Sequence, residues 1–117
     1  MADAVNLAAK LATFEEKWSP RTVATFNGHD VMIVKVEGEF NWHSHADTDD
    51  FFLVLSGEID IRLRDRAVTL KAGEIFVVPR GVEHCPFARN EAHLLLIEPT
   101  GTPNTGDRDT AAERKVI

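Results

Sequence analysis

The sequence predicts an all-β protein, an antiparallel sandwich or barrel preceded by a short helix. Apolar and polar residues alternate with period two from Pro20 to about Glu98, the pattern of strands with one buried face. Turn-forming residues punctuate that stretch at regular intervals with no helical pattern between them. The stretch with helical spacing lies ahead of it, before Pro20.

In chain order, Leu7, Leu11, Phe14 and Trp18 recur at offsets of four, three and four and so share one helical face. Thr13 with Glu16 fits a capping box that restarts the helix, and Pro20 ends it. Asn27-Gly28 between residues 22–26 and 31–36 is a hairpin signal, because both turn positions tolerate positive φ. Ser56-Gly57 separates 51–55 from 59–63, and Lys71-Ala72-Gly73 precedes 75–78. Arg89-Asn90 reads as a further turn, between the segment after His84 and the strand 93–98. About eight strands result. Ile59, Ile61 and Leu63 alternate with Asp60, Arg62 and Arg64, so that strand has a core face and a polar face. Arg62, Arg64 and Arg66 fit either solvated decoration or an anion site. From Pro99 to Asp109 the chain is rich in Thr, Gly, Asn and Asp, an irregular tail. The expected organisation is a helical segment over 1–20, a β-barrel over 21–98 and a C-terminal tail over 99–117 packed on it.

With 44% hydrophobic and 27% charged residues, 117 residues suffice for one domain with a real core. Nineteen acidic against 13 basic residues give a net charge of −6, which repels a phosphate backbone, so no nucleic-acid partner is expected. The longest apolar run, 51–55, is far short of the roughly 18 residues that span a bilayer, so no membrane partner is expected. The N-terminus lacks a secretory pattern, and the single Cys85 excludes an internal disulfide. Both fit a cytoplasmic protein. Without tyrosine, no phenol serves as acid or base.

His43 and His45 are two apart on an expected strand, so both imidazoles project from one face and can converge on an ion. A His-x-His pair serves equally well in a solvated polar loop, so the context decides. That context is Asp50, directly before the apolar run, and His84, which follows Gly73, Pro79 and Gly81. The stretch Gly38 to Gly57 resembles the first cupin motif: Gly, His-x-His, a carboxylate after four residues, then Gly after six. Gly73 to His84 resembles the second, Gly-x5-Pro-x-Gly-x2-His. Fifteen residues separate the motifs. The frame from NLAAKLATF through WSPRTV to EPTGTPNTG is similar to small stand-alone cupins labelled mannose-6-phosphate-isomerase-like, a label of similarity that sets no activity.

The resemblance implies a double-stranded β-helix, the cupin jelly roll, with one divalent transition metal held by His43, His45, Asp50 and His84. Three imidazoles and a carboxylate suit Fe, Mn, Zn, Ni, Co or Cu. It also implies a homodimer and a small-molecule ligand. The functional expectation is a metalloenzyme, such as an isomerase, oxygenase or lyase; the alternative is a non-catalytic module binding a metal or a small, sugar-like ligand. Three departures stand out. Asp50 replaces the usual Glu, so it either ligates directly, bridges through water, or leaves a three-histidine ion, with Asp47 and Asp49 as substitutes. Four residues rather than five separate Gly38 from His43, and Ala88 stands where the second motif has Asn.

Phe52 shares strand parity with Asp50 and is the pocket candidate among the aromatic residues flanking the motifs. Cys85 alternates with His84 and points away from the metal, as an inert buried thiol. His29 reads as a surface residue beside its turn and His93 as structural. Arg80 and Glu83 read as turn charges within reach of a substrate.

Overall fold

Asn6 starts the one helix found among residues 3–117, the part of the chain that the computed structural model describes. Its Oδ1 accepts from the Ala9 N–H at 2.9 Å, capping α1 (Leu7–Leu11). The helix is shorter than its apolar spacing predicts. Thr13 folds back on the last turn, donating both its N–H and its hydroxyl to Lys10 O. Trp18 has a φ of 59°, outside any helix. The spacing instead marks one packed side of an irregular segment, and Leu11 and Phe14 bury against Ile33. The predicted restart at Thr13 does not form, because Glu16 pairs with Arg21 at 2.8 Å.

The strands are β1 (Arg21–Phe26), β2 (His29–Glu39), β3 (Asp50–Ser56), β4 (Glu58–Leu63), β5 (Ala67–Lys71), β6 (Ile75–Val78), β7 (His84–Pro99) and β8 (Lys115–Val116). The Asn27-Gly28 turn joins β1 to β2, with positive φ at both residues. The pairing runs β5-β4-β7-β2-β1-β8, with β3 between β6 and β7. All of it is antiparallel except β1 with β8. The inner faces meet in one core that includes Met32, Val34 and Val36 of β2, Ile59 and Ile61 of β4, and Leu94 and Leu96 of β7.

The turn predicted at Arg89-Asn90 is a corner within β7. The chain does not reverse there, because β2 accompanies β7 from Glu39 opposite Phe87 to His29 opposite Pro99. Gly38 faces Ala88 and Val36 faces Ala92, so four steps of β7 match two of β2, and the exposed Arg89, Asn90 and Glu91 bulge outward.

After β7 the C-terminal segment lies across the barrel. Arg114 holds it, donating to Asp30 Oδ2 at 2.5 Å and to Thr102 O, while Thr100 Oγ1 donates to Asp30 Oδ1 at 3.0 Å. Gly106 sits directly on the chain between His43 and His45. A Cβ there would lie 2.1 Å from the Ser44 carbonyl oxygen, so no other residue fits.

The β3–β4 turn depends on Gly57, whose φ is 84° and whose added Cβ would come within 2.9 Å of Ala92 Cβ. Gly57→Ala should therefore cost about 1–3 kcal/mol through backbone strain and crowding. A lowered denaturation midpoint checks this, and an unchanged midpoint would show that the turn tolerates a side chain.

Candidate metal centre

Four backbone hydrogen bonds tie the two histidine-bearing segments together. Phe40 N–H donates to Pro86 O at 2.9 Å, His43 and His84 exchange N–H···O bonds at 3.0 and 2.9 Å, and Gly81 N–H donates to His45 O at 2.8 Å. His43 and His45 thus lie outside the named strands, in an irregular segment held by a single β-bridge. Their convergence comes from that cross-chain tie, where strand parity was expected. Asp50 opens β3 and faces inward with Phe52, as their shared parity predicts.

The tie brings one ligand atom from each of His43, His45, Asp50 and His84 within 4.8 Å of one another. Asp50 Oδ2 lies 2.8 Å from His84 Nε2, 3.2 Å from His45 Nε2 and 4.0 Å from His43 Nε2. Backbone carbonyls set two of the rings. His43 Nδ1 is 3.1 Å from Asn41 O and His84 Nδ1 is 2.9 Å from Val82 O, so each Nδ1–H donates outward and leaves Nε2 bare toward the cluster. A bare His84 Nε2 facing a carboxylate at 2.8 Å sets two acceptors against each other. A proton or a metal cation between them removes the conflict. His45 Nε2 is buried with no hydrogen-bond partner despite its closeness to Asp50. Bare nitrogens, a carboxylate and an orphaned ring atom gathered at one point fit a metal ion.

The electrostatics agree. Burial, reinforced by His84 and His45, pushes the His43 pKa down to about 4, which keeps the ring neutral as a ligand must be. Burial opposes ionisation of Asp50, but the facing His45 and His84 more than offset it and hold this carboxyl well below the usual carboxylate range.

A cavity of about 40 Å³ adjoins the cluster, lined by His43, Asp50 and Glu98 at its polar end and by Trp18, Phe40 and Phe52 among its apolar walls. Trp18 stacks on Phe40 with ring centroids 4.7 Å apart. Glu98 was not foreseen as a site residue. Its parity with Leu94 and Leu96 along β7 was the available signal, and all three face inward. Burial first, then the adjacent Asp50, raises its carboxyl to about 8.

The other candidates lie away from this point. Asp49 accepts from the Arg80 N–H at 2.9 Å, and Asp47 is exposed. Arg64 pairs with Glu83 and stacks over Trp42, and Arg62 pairs with Glu39, so neither is free to hold an anion. His93 contacts Glu91 at 2.7 Å, and His29 is half-buried beside Asn27. Cys85 is fully buried against Phe40 O, and burial raises its thiol.

An antiparallel barrel with three histidines and an acid gathered inside it is a cupin-type architecture. Residues 30–98 match the cupin domain family, and the chain belongs to that family. It is similar to the Bacillus subtilis protein YdbB, at 34% identity over 85 residues that cover 72% of this chain and 75% of that protein. Among solved structures, a cupin-2 domain containing protein from Shewanella frigidimarina is 48% identical, with a TM-score of 0.80 over 81% of this chain and 93% of that one. Hydroquinone 1,2-dioxygenase from Sphingomonas sp. TTNP3, with 4-hydroxybenzoate bound, is 25% identical; its TM-score is 0.72 over 83% of this chain and 32% of that one.

Two groups set opposite pH trends in the metal-free protein. His43 stays neutral to about 4 against 6.5 for a free ring, so its contribution to stability is present above 6.5 and lost as pH falls through 4. Glu98 is raised from 4.5 to about 8, so its contribution is present below 4.5 and lost as pH rises through 8. Glutamine does not titrate. The stability of Glu98→Gln relative to the wild type should therefore grow between about pH 5 and about pH 9. Thermal melts of the metal-free proteins check this; a constant difference would place the Glu98 pKa at its ordinary value.

Proposed function

We propose that this protein is a metal-dependent enzyme acting on a small molecule inside the barrel, with one divalent transition metal held by His43, His45, Asp50 and His84. The observation that carries this reading is the gathering of three imidazoles and a carboxylate within 4.8 Å, beside a mostly apolar cavity. Such donors suit Fe, Mn, Zn, Ni, Co or Cu. The ion supplies a Lewis acid and, where it is redox-active, a site for dioxygen. The chain does the rest. His43 and His84 are held in one tautomer by Asn41 and Val82 carbonyls, while Trp18, Phe40 and Phe52 receive an apolar substrate body and exclude water. Likeness to a hydroquinone dioxygenase at 25% identity supports oxygenation over isomerisation or elimination.

In the same reading the protein is a cytoplasmic homodimer. The support is β6, which pairs with β3 alone among the described residues and exposes Ile75 and Val77, an edge that a second copy would cover.

Elemental analysis of protein purified without chelator or nickel resin tests the ligand set. His84→Ala should lose most of its metal and the stabilisation that metal brings, about 2.7 kcal/mol at a hundredfold excess over Kd. Asp50→Asn should weaken binding by more than the roughly 10 to 100-fold typical of residues behind the ligands. Asp50→Glu should hold metal at least as well as the wild type. Full metal content in His84→Ala would overturn the assignment.

A further inference from the structure

The cavity beside the cluster contains a polar side chain that the ligand set leaves unused. Glu98 is 3% exposed and lines the cavity, and its Oε2 has no hydrogen-bond partner among the described residues. Arg114 Nη2 stops 3.7 Å short of it and does not line the cavity. A buried carboxyl oxygen without a hydrogen bond is unfavourable, and a hydrogen bond from an arriving ligand relieves that.

The walls define the ligand. Trp18, Phe40, Phe52, Leu94 and Leu96 present apolar surface, and neither Lys nor Arg lines the cavity. Apart from the ion itself, nothing in the walls pairs with an anion, and the Asp50 and Glu98 carboxyls disfavour a phosphate or carboxylate beside them. The cavity is partly open to solvent, and its water-accessible space of about 40 Å³ is enough for a hydroxyl, since about 10–15 Å³ suffices for one water. Asn104 is the wall residue contributed by the C-terminal segment and lies outside any strand.

We propose that Glu98 determines specificity at this site by hydrogen bonding the hydroxyl of a small, neutral, ring-bearing substrate whose apolar body lies against Trp18, Phe40 and Phe52. The proposal rests on reading the cavity as the substrate site and narrows the substrate class to neutral hydroxyl-bearing rings.

The test uses zinc-loaded protein and three probes: phenol, toluene and phenyl phosphate. Calorimetry or quenching of tryptophan fluorescence follows their binding, and metal content is measured on the same samples. Wild type should bind phenol at least about tenfold more tightly than phenyl phosphate, and Glu98→Leu should lose at least about tenfold in phenol affinity with toluene affinity changed less than about threefold. Glu98→Gln, whose amide still pairs with a hydroxyl, should keep most of the phenol affinity. Metal content should stay unchanged in both variants. A crystal structure of the wild type with phenol provides a readout independent of any variant's folding: the hydroxyl should lie within hydrogen-bond distance of Glu98. Undetectable phenol binding, tighter binding of phenyl phosphate, equal losses for phenol and toluene, or a hydroxyl turned away from Glu98 would each overturn the proposal. A wild type that takes up no zinc would instead overturn the ligand set, and the phenol and toluene comparison would still judge Glu98.

Discussion

The bend in β7 is the constraint on which the rest of the molecule depends. This strand pairs with β2, β3 and β4, so it joins parts of the sheet that would otherwise be separate. His84 is its first residue and Glu98 its last but one, and the side chains of both face Asp50. Fourteen residues of straight strand would hold them about 46 Å apart. The corner at Arg89 to Glu91, matched by the irregularity between Val36 and Gly38 on β2, brings the two ends to one point.

At that point the chain accepts electrostatic conflict instead of avoiding it. A carboxylate faces a bare imidazole nitrogen, and a second carboxyl lies beside the first in a region without cationic walls. In a core built only for stability, apolar residues of similar volume would serve at least as well. The arrangement becomes favourable when a cation is shared among the donors, so the cluster stores affinity that packing alone does not use. Arg114 tempers the outer edge, through Asp30 and, at longer range, Glu98.

Local chemistry made much of this legible in the sequence. The Asn27-Gly28 and Ser56-Gly57 turns depend on a few adjacent residues, and the spacing of His43, His45, Asp50 and His84 carried the candidate site. Features decided by distant partners were harder to read. The helix ends early because Phe14 and Trp18 find their burial against the barrel without helical backbone. Arg89-Asn90 has turn chemistry, yet the accompanying β2 strand converts it into a corner. Nothing local to Arg114 announces that it reaches Asp30, and Glu98 is marked in the sequence only by continuing the inward parity of Leu94 and Leu96.

The β2–β7 ladder also sets a route to the native state. Its rungs join Asp30 to Glu98 and Val36 to Ala92, so a long stretch of chain must be closed into a loop before the ladder can form. Topologies dominated by such distant pairings fold on the order of milliseconds to seconds, against microseconds for helical bundles. The Glu98 end of β7 is seated by that ladder, whereas the His84 end is also held by β4. The donor cluster thus draws its members from both local and distant pairings, so the whole barrel has to be in place before all of its walls are present.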